Sequence, residues 1–139
     1  MDLKLDRQAV QDLIVRGFKA DRDFVVVEAL EPGMARVRLP VRPWMVRPGE
    51  VISGPALFTA ADLAMYALVL GHVGPQMMAV TSDFTMHFLN KGRVADVIAV
   101  ARLLKLGRRL AVIEVSLSCG DDRTIVAHTT GSYALPATP

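Results

Sequence analysis

Across the 32 residues from Val51 to Ser82 only one formal charge occurs, the carboxylate of Asp62. It lies in an otherwise apolar run of Ala56, Leu57, Phe58, Ala60, Ala61, Leu63, Ala64, Met65, Ala67, Leu68, Val69 and Leu70, which stops at Gly71. Pro55 suits a first helical position, where its missing N–H costs nothing, and Ser53 or Gly54 can cap. A helix that is apolar nearly all round must be buried on most sides. Thr59, Asp62 and Tyr66 follow one another at spacings of three and four, so they share one narrow stripe. A carboxylate in such a setting is costly unless paired or partly wetted, and no Lys or Arg lies within a helical turn of it. Two readings follow. Asp62 accepts hydrogen bonds from a neighbouring strand or subunit, or it is a general base or nucleophile at the floor of an apolar slot.

The other candidates have plainer readings beside the chemical ones. No Gly-x-Ser-x-Gly elbow surrounds Ser53, which favours helix capping over nucleophilic attack. Tyr66 either lines a slot beside Asp62 or packs with its hydroxyl tethered, and Thr59 can simply bond a backbone carbonyl. His72, His87 and His128 are far apart and show no metal-ligand spacing with Cys, Asp or Glu. No metal is expected. His72 follows Gly71, where a cationic side chain would suit the helix dipole.

These residues need elements to position them. Leu5, Ala9 and Leu13 with Val10, Ile14 and Phe18 recur at helical spacing, predicting an amphipathic helix from Leu3 that ends near Gly17. Phe24–Val27 and Ala35–Leu39 flank the turn signal Glu31-Pro32-Gly33 and read as a hairpin. Pro40, Pro43, Pro48 and Gly49 mark a loop. After the apolar helix, Met78, Val80, Phe84, Met86 and Phe88 alternate with Thr81, Asp83, Thr85 and His87, one buried and one polar face. Strand-like runs follow at Val94–Leu104, Leu110–Cys119 and Thr124–Leu135. Strands segregated from helices in this way argue an α+β domain with an antiparallel sheet.

Composition bounds what such a domain can be. The 139 residues fit one domain spanning 1–139. A hydrophobic fraction of 52%, a charged fraction of 22% and a mean hydropathy of +0.34 exclude a disordered or collagen-like chain. They also suggest more apolar surface than a lone small domain can hide, hence self-association. The net charge is only +2, and basic residues occur singly or in pairs such as Arg108-Arg109, so a nucleic-acid partner is not expected. The single cysteine, Cys119, fits a reducing compartment. The charged N-terminus does not resemble a signal peptide, and Asp62 interrupts the only candidate membrane span. A cytoplasmic protein without a membrane partner is expected.

The stretch Ser53-Gly54-Pro55-Ala56-Leu57-Phe58-Thr59-Ala60-Ala61-Asp62-Leu63-Ala64 resembles the His-Gly-Gly…Asp segment of hotdog-fold acyl-CoA thioesterases of the phenylacetate-degradation type. Val80-Thr81-Ser82-Asp83-Phe84…Phe88-Leu89-Asn90-Lys91 is similar to that family's strand after the central helix. The likeness continues through Lys105-Leu106-Gly107-Arg108-Arg109 and the last two strands. It implies a hotdog fold, an antiparallel sheet of five or six strands wrapped around a long central helix. It implies a homodimer formed by joining sheets, with further pairing into a homotetramer.

It also implies hydrolysis of an acyl-CoA thioester, with no tightly bound cofactor. The family's carbonyl-polarising amide falls on Gly54, and its base or nucleophile, acting from the partner subunit, falls on Asp62. A helix N-terminus offers unpaired N–H groups and partial positive charge where an oxyanion develops, which agrees. Ser53, Thr59 and Tyr66 then become substrate-binding candidates. Arg108 and Arg109, with Lys91, Arg93 and Lys105, could meet the phosphates of coenzyme A. Two departures stand out: Ser53 replaces the family's histidine and Pro55 its second glycine. They favour one alternative, a weakly catalytic acyl-CoA-binding protein. A second alternative, an enoyl-thioester hydratase or dehydratase, is disfavoured because no histidine lies near Asp62 in sequence.

Overall fold

The structure, a computed structural model, describes residues 2–137. Helix α1 spans Arg7–Gly17, strands β1 and β2 span Val26–Glu31 and Met34–Leu39, and a 3-10 turn at Pro43–Met45 leads into a small hairpin, β3 (Val46–Arg47) and β4 (Val51–Ile52). Helix α2 covers Gly54–Val73. Strands β5 (Val80–Phe88), β6 (Val97–Leu106), β7 (Leu110–Cys119) and β8 (Asp122–Ala134) complete the chain. Six strands form one antiparallel sheet in the order β1-β2-β6-β7-β8-β5, with β5 at an edge. The inner face of this sheet wraps α2, as the burial of an all-round apolar helix demands.

Fourteen of the twenty α2 residues are buried. By length and hydropathy the helix would pass for a membrane span despite Asp62, but 78% of that window is buried inside the domain. It is the core. Ala56, Ala60, Ala64 and Ala67 are fully buried against the sheet, where small side chains let the helix approach closely. At the far end His72 is also buried. Its Nε2 accepts the Gly33 amide at 3.1 Å while Nδ1 lies 2.9 Å from the Leu68 carbonyl. Accepting at one nitrogen and donating at the other requires the neutral ring, so the cationic dipole partner expected from sequence is not formed. The imidazole pins α2 to the β1–β2 turn instead.

Helix α1 starts later than its periodicity suggests. Asp6 is the cap, its side chain accepting from the Ala9 amide at 2.8 Å. The chain before it is spent on the end of α2, where the Lys4 amide donates to the Gly71 carbonyl at 2.7 Å. Gln11 fastens α1 to the sheet, donating to the Val25 carbonyl and accepting from the Val27 amide.

Strand β5 departs most from the sequence pattern. Its apolar residues were expected to be buried, yet Val80 is 55% exposed and Phe88 62%. Among the described residues only β8 pairs with it, and they leave its outer edge and much of its inner face without cover. The register also shifts between Thr81 and Asp83, a bulge at Ser82. Strict alternation put Thr81 on the face of Asp83, Thr85 and His87. The bulge moves it to the other face, beside Tyr133 and toward α2.

Candidate functional site

Asp62 sits in the third turn of α2, half-buried rather than fully enclosed. Thr81 Oγ1 donates to its Oδ1 at 2.7 Å, and the Tyr133 hydroxyl donates to the same oxygen at 2.8 Å. The phenol also lies 3.2 Å from the Asp62 carbonyl. One carboxylate oxygen is thus held by two O–H donors, and Oδ2 has no hydrogen-bond partner among the described residues. Tyr133 is 3% exposed; burial above all, and then the charge of Asp62, pushes its phenol far above the usual tyrosine range. It therefore stays a donor at any working pH. No cation pairs with Asp62 among the described residues.

A cavity of about 410 Å³ opens beside this carboxylate, walled by Phe18, Leu63, Tyr66, Met77, Ala79 and the Thr81–Tyr133 pair. Tyr66 stacks on Tyr133 with ring centroids 6.0 Å apart, and its hydroxyl donates to the Met77 carbonyl at 3.2 Å. Its hydroxyl is tethered, as the packing reading expects, and its ring lines the cavity. Burial raises its phenol as well.

The start of α2 has a different character. Ser53 is the cap, its Oγ accepting the Ala56 amide at 3.2 Å, and the Leu57 amide donates to the Ser53 carbonyl. Pro55 has no N–H. Gly54 therefore carries the one amide donor of this first turn with no acceptor among the described residues. It opens on a hollow of about 470 Å³ with Pro55, Phe58, Thr59 and Phe88. A second hollow, of about 260 Å³, joins Gly54 to Arg47, Asn90 and Lys91. Thr59 donates to the Pro55 carbonyl at 2.8 Å, so its hydroxyl is used locally.

Within one chain these parts do not meet. Gly54 and Asp62 are eight residues apart, about 12 Å along the helix axis, and they face different cavities. The single stripe of Thr59, Asp62 and Tyr66 divides in the same way, Thr59 with Gly54 and Tyr66 with Asp62. Arg108 and Arg109 are exposed at the β6–β7 turn. The Leu135 amide donates to the Arg109 carbonyl, which sets this turn at the Asp62 end of the sheet. Neither arginine forms an ion pair among the described residues, whereas Arg93 is paired with Asp121. A further depression, about 830 Å³, runs along α1 between Gln8 and Arg22, away from all of these groups. No cluster of three metal-ligating side chains occurs among the described residues.

Thr81 and Tyr133 are the site residues that sequence reasoning passed over. Thr81 was assigned to the wrong face because a bulge leaves no mark in an alternating pattern. Tyr133 lies 71 positions from Asp62, and only the β5–β8 pairing brings it there.

The profile of the Thioesterase superfamily matches residues 49–126. A provisionally assigned thioesterase of Silicibacter sp. TM1040 is 35% identical, with a TM-score of 0.87 over 98% of this chain and 95% of its own. A variant of the phenylacetic acid degradation protein PaaI of Thermus thermophilus is 26% identical, with a TM-score of 0.69 over 84% of this chain and all of its own. A provisionally assigned esterase of Thermoplasma acidophilum is 22% identical over 117 residues, 84% of this chain and 86% of that protein.

Proposed function

Because the chain belongs to the thioesterase superfamily and is a hotdog-fold thioesterase of the PaaI-like type, we propose that it hydrolyses an acyl-CoA thioester at a site shared between two subunits. The observation that carries this reading is the separation of an unpartnered amide, Gly54, from a held carboxylate, Asp62, on one helix. Phe58 lies midway between them, and Phe84 is the middle residue of β5. The two rings touch, with centroids 3.8 Å apart. A two-fold axis beside that contact pairs the open edge of β5 with the same edge of a second copy, antiparallel. It carries Gly54 of each copy to the level of the other's Asp62. The isologous interface covers Phe88 and the rest of the exposed inner face of β5.

In this site the thioester carbonyl oxygen accepts from the Gly54 amide of one subunit, at a helix N-terminus whose partial charge favours an oxyanion. Asp62 of the other subunit presents Oδ2, since Oδ1 is held by Thr81 and Tyr133. Oδ2 takes a proton from water as the water oxygen bonds to the carbonyl carbon, or itself attacks that carbon. The C–S bond then breaks as the oxyanion collapses and the thiolate leaves; in the first case it takes the proton that Asp62 holds, and in the second water cleaves the acyl–Asp62 anhydride, freeing the acid and supplying that proton. Arg108 and Arg109 at the Asp62 end, with Arg47 and Lys91 at the partner's Gly54 end, are the cations that meet the CoA phosphates.

Subunit complementation tests the shared site. Asp62→Asn and Gly54→Pro each remove one half of the chemistry. Pro at 54 deletes the amide, and a Cβ there meets Phe88 only at ordinary contact distance, 3.4 Å. Alone, each variant is expected to be inactive on a panel of CoA thioesters. After mixing and subunit exchange, about half the dimers are hybrid with one good site of two, returning about a quarter of the wild-type rate. No return of activity despite proven exchange, or a 15.1 kDa monomer by light scattering, overturns the shared site.

A further inference from the structure

The cavity beside Asp62 has a wall that the chemistry does not use. Phe18, the residue that ends α1, stands edge-on to Tyr66 with centroids 6.1 Å apart and an interplanar angle of 90°. It is 55% exposed, and its ring lines the cavity together with that of Tyr66. Met77, opposite, is fixed through its backbone by the Tyr66 hydroxyl while its side chain is 39% exposed. The Met77 methyl lies against Gly17, where a Cβ would displace it. Three separate elements thus converge on one end of the slot: the end of α1, the middle of α2 and the segment before β5. The Asp62 carboxylate lies at the other end.

We infer that Phe18 and Met77 form the end wall of the acyl slot and determine the length of acyl chain the enzyme accepts. The inference rests on Asp62 being the hydrolytic carboxylate. The acyl group it predicts is uncharged and apolar. Among the described residues Asp62 is the only charged group lining the cavity, and the Tyr66 and Tyr133 hydroxyls are already donating, one to Met77 and one to Asp62. A terminal carboxylate reaching the Phe18 and Met77 wall would find no cation and no free hydroxyl donor among the described residues. Both wall side chains can be shortened with little risk to the fold, since both are partly exposed and outside the buried core.

The test compares kcat/KM over straight-chain acyl-CoA substrates of increasing length for the wild type, Phe18→Ala and Met77→Ala. The wild type should show a cut-off, and each variant should move it to longer chains. The ratio of the first rejected to the last accepted length should rise at least tenfold, the scale of one methylene in an apolar pocket. Calorimetry with the same panel on Asp62→Asn, and on Asp62→Asn carrying each wall substitution, should show the same displacement in Kd. An unchanged cut-off in both measurements overturns the wall, as does equal acceptance of a terminally carboxylated chain. If binding shows the displaced cut-off while the wild type hydrolyses none of the panel, the hydrolytic reading falls and the wall stands.

Discussion

Asp62→Asn separates chemistry from architecture because its two effects can be worked from the same hydrogen bonds. The native Oδ1 accepts from Thr81 at 2.7 Å and Tyr133 at 2.8 Å. The asparagine carbonyl oxygen can take both, leaving its amide where Oδ2 faced the cavity. Two charge-assisted bonds become neutral ones, a loss of roughly 1 kcal/mol each. The substitution also removes the cost of holding a half-buried, unpaired charge, which is of similar size and opposite sign. The net change should stay within about 1 kcal/mol, a Tm shift of no more than about 4 °C for a domain of this length. Loss of the proton acceptor, by contrast, removes about 10²–10⁴ in kcat, or roughly 3–5 kcal/mol of barrier. The acyl slot is untouched, so substrate Kd should hardly move. CoA release with a thiol reagent, thermal melting and light scattering on this one variant give the three readouts. Undiminished turnover would refute the mechanism. A loss of more than about 2 kcal/mol of stability would show that Asp62 is needed chiefly as an acceptor for Thr81 and Tyr133.

Other substitutions probe the supports of the site. Tyr133→Phe keeps the ring stack on Tyr66 but leaves Oδ1 with Thr81 alone; kcat should fall roughly ten- to hundredfold at near-constant KM. Restoration by a ring-fluorinated tyrosine, which keeps the hydroxyl, separates this positioning role from packing. Gly131→Ala should cost about 1–3 kcal/mol in urea unfolding, because the new Cβ would stand 2.8 Å from both the Asp83 carbonyl oxygen and the Met65 methyl. Glu28→Gln addresses pH. Partial burial raises the Glu28 carboxyl, but hydrogen bonds and charge from Arg38 and Arg36 outweigh it and hold the group below its usual value. A depressed folded pKa gives stability that is complete above the unfolded value, about 4.3, and is lost as pH falls through the folded one. Wild type should therefore exceed Glu28→Gln in urea midpoint at neutral pH, and the two should converge in acid. A gap that persists at pH 2 would count against the ion pair.

Much of this fold could be read from the chain because the determining signals are local. Pro55 after Ser53-Gly54 marks where α2 begins, and an uninterrupted apolar run can only be a helix buried by something else. The turns at Pro32-Gly33 and Gly120-Asp121 punctuate the strands where the hairpins form, and both glycines adopt positive φ. Asp62 stands out for the same reason, as one charge in a long stretch without another. Errors fall where the determinant is non-local. Leu3 and Leu5 continue the helical period of α1, yet the Lys4 and Leu5 amides are drawn away by the carbonyl of Gly71. His72 looks like a dipole partner until the Gly33 amide, 39 residues away, fixes it as neutral.

The site itself was half legible, and the missing half follows from how a sheet brings distant residues together. The role proposed for Asp62 needs more than a position; one of its oxygens must be held so that the other is presented. That task falls to Thr81 and Tyr133, neither of which has a motif of its own. Thr81 reaches Asp62 only because the chain gains one residue at Ser82, and Tyr133 only because β8 pairs with β5 in a register that the bulge fixes. The bulge also accounts for the strand's divided character. On its far side Phe84, Met86 and Phe88 face inward in alternation, forming the apolar strip around Phe58; on its near side the inward face turns polar at Thr81. One inserted residue thus places an apolar strip and a hydrogen bond to the carboxylate on the same face of a nine-residue strand. The alternation that announced the strand cannot reveal the residue that interrupts it.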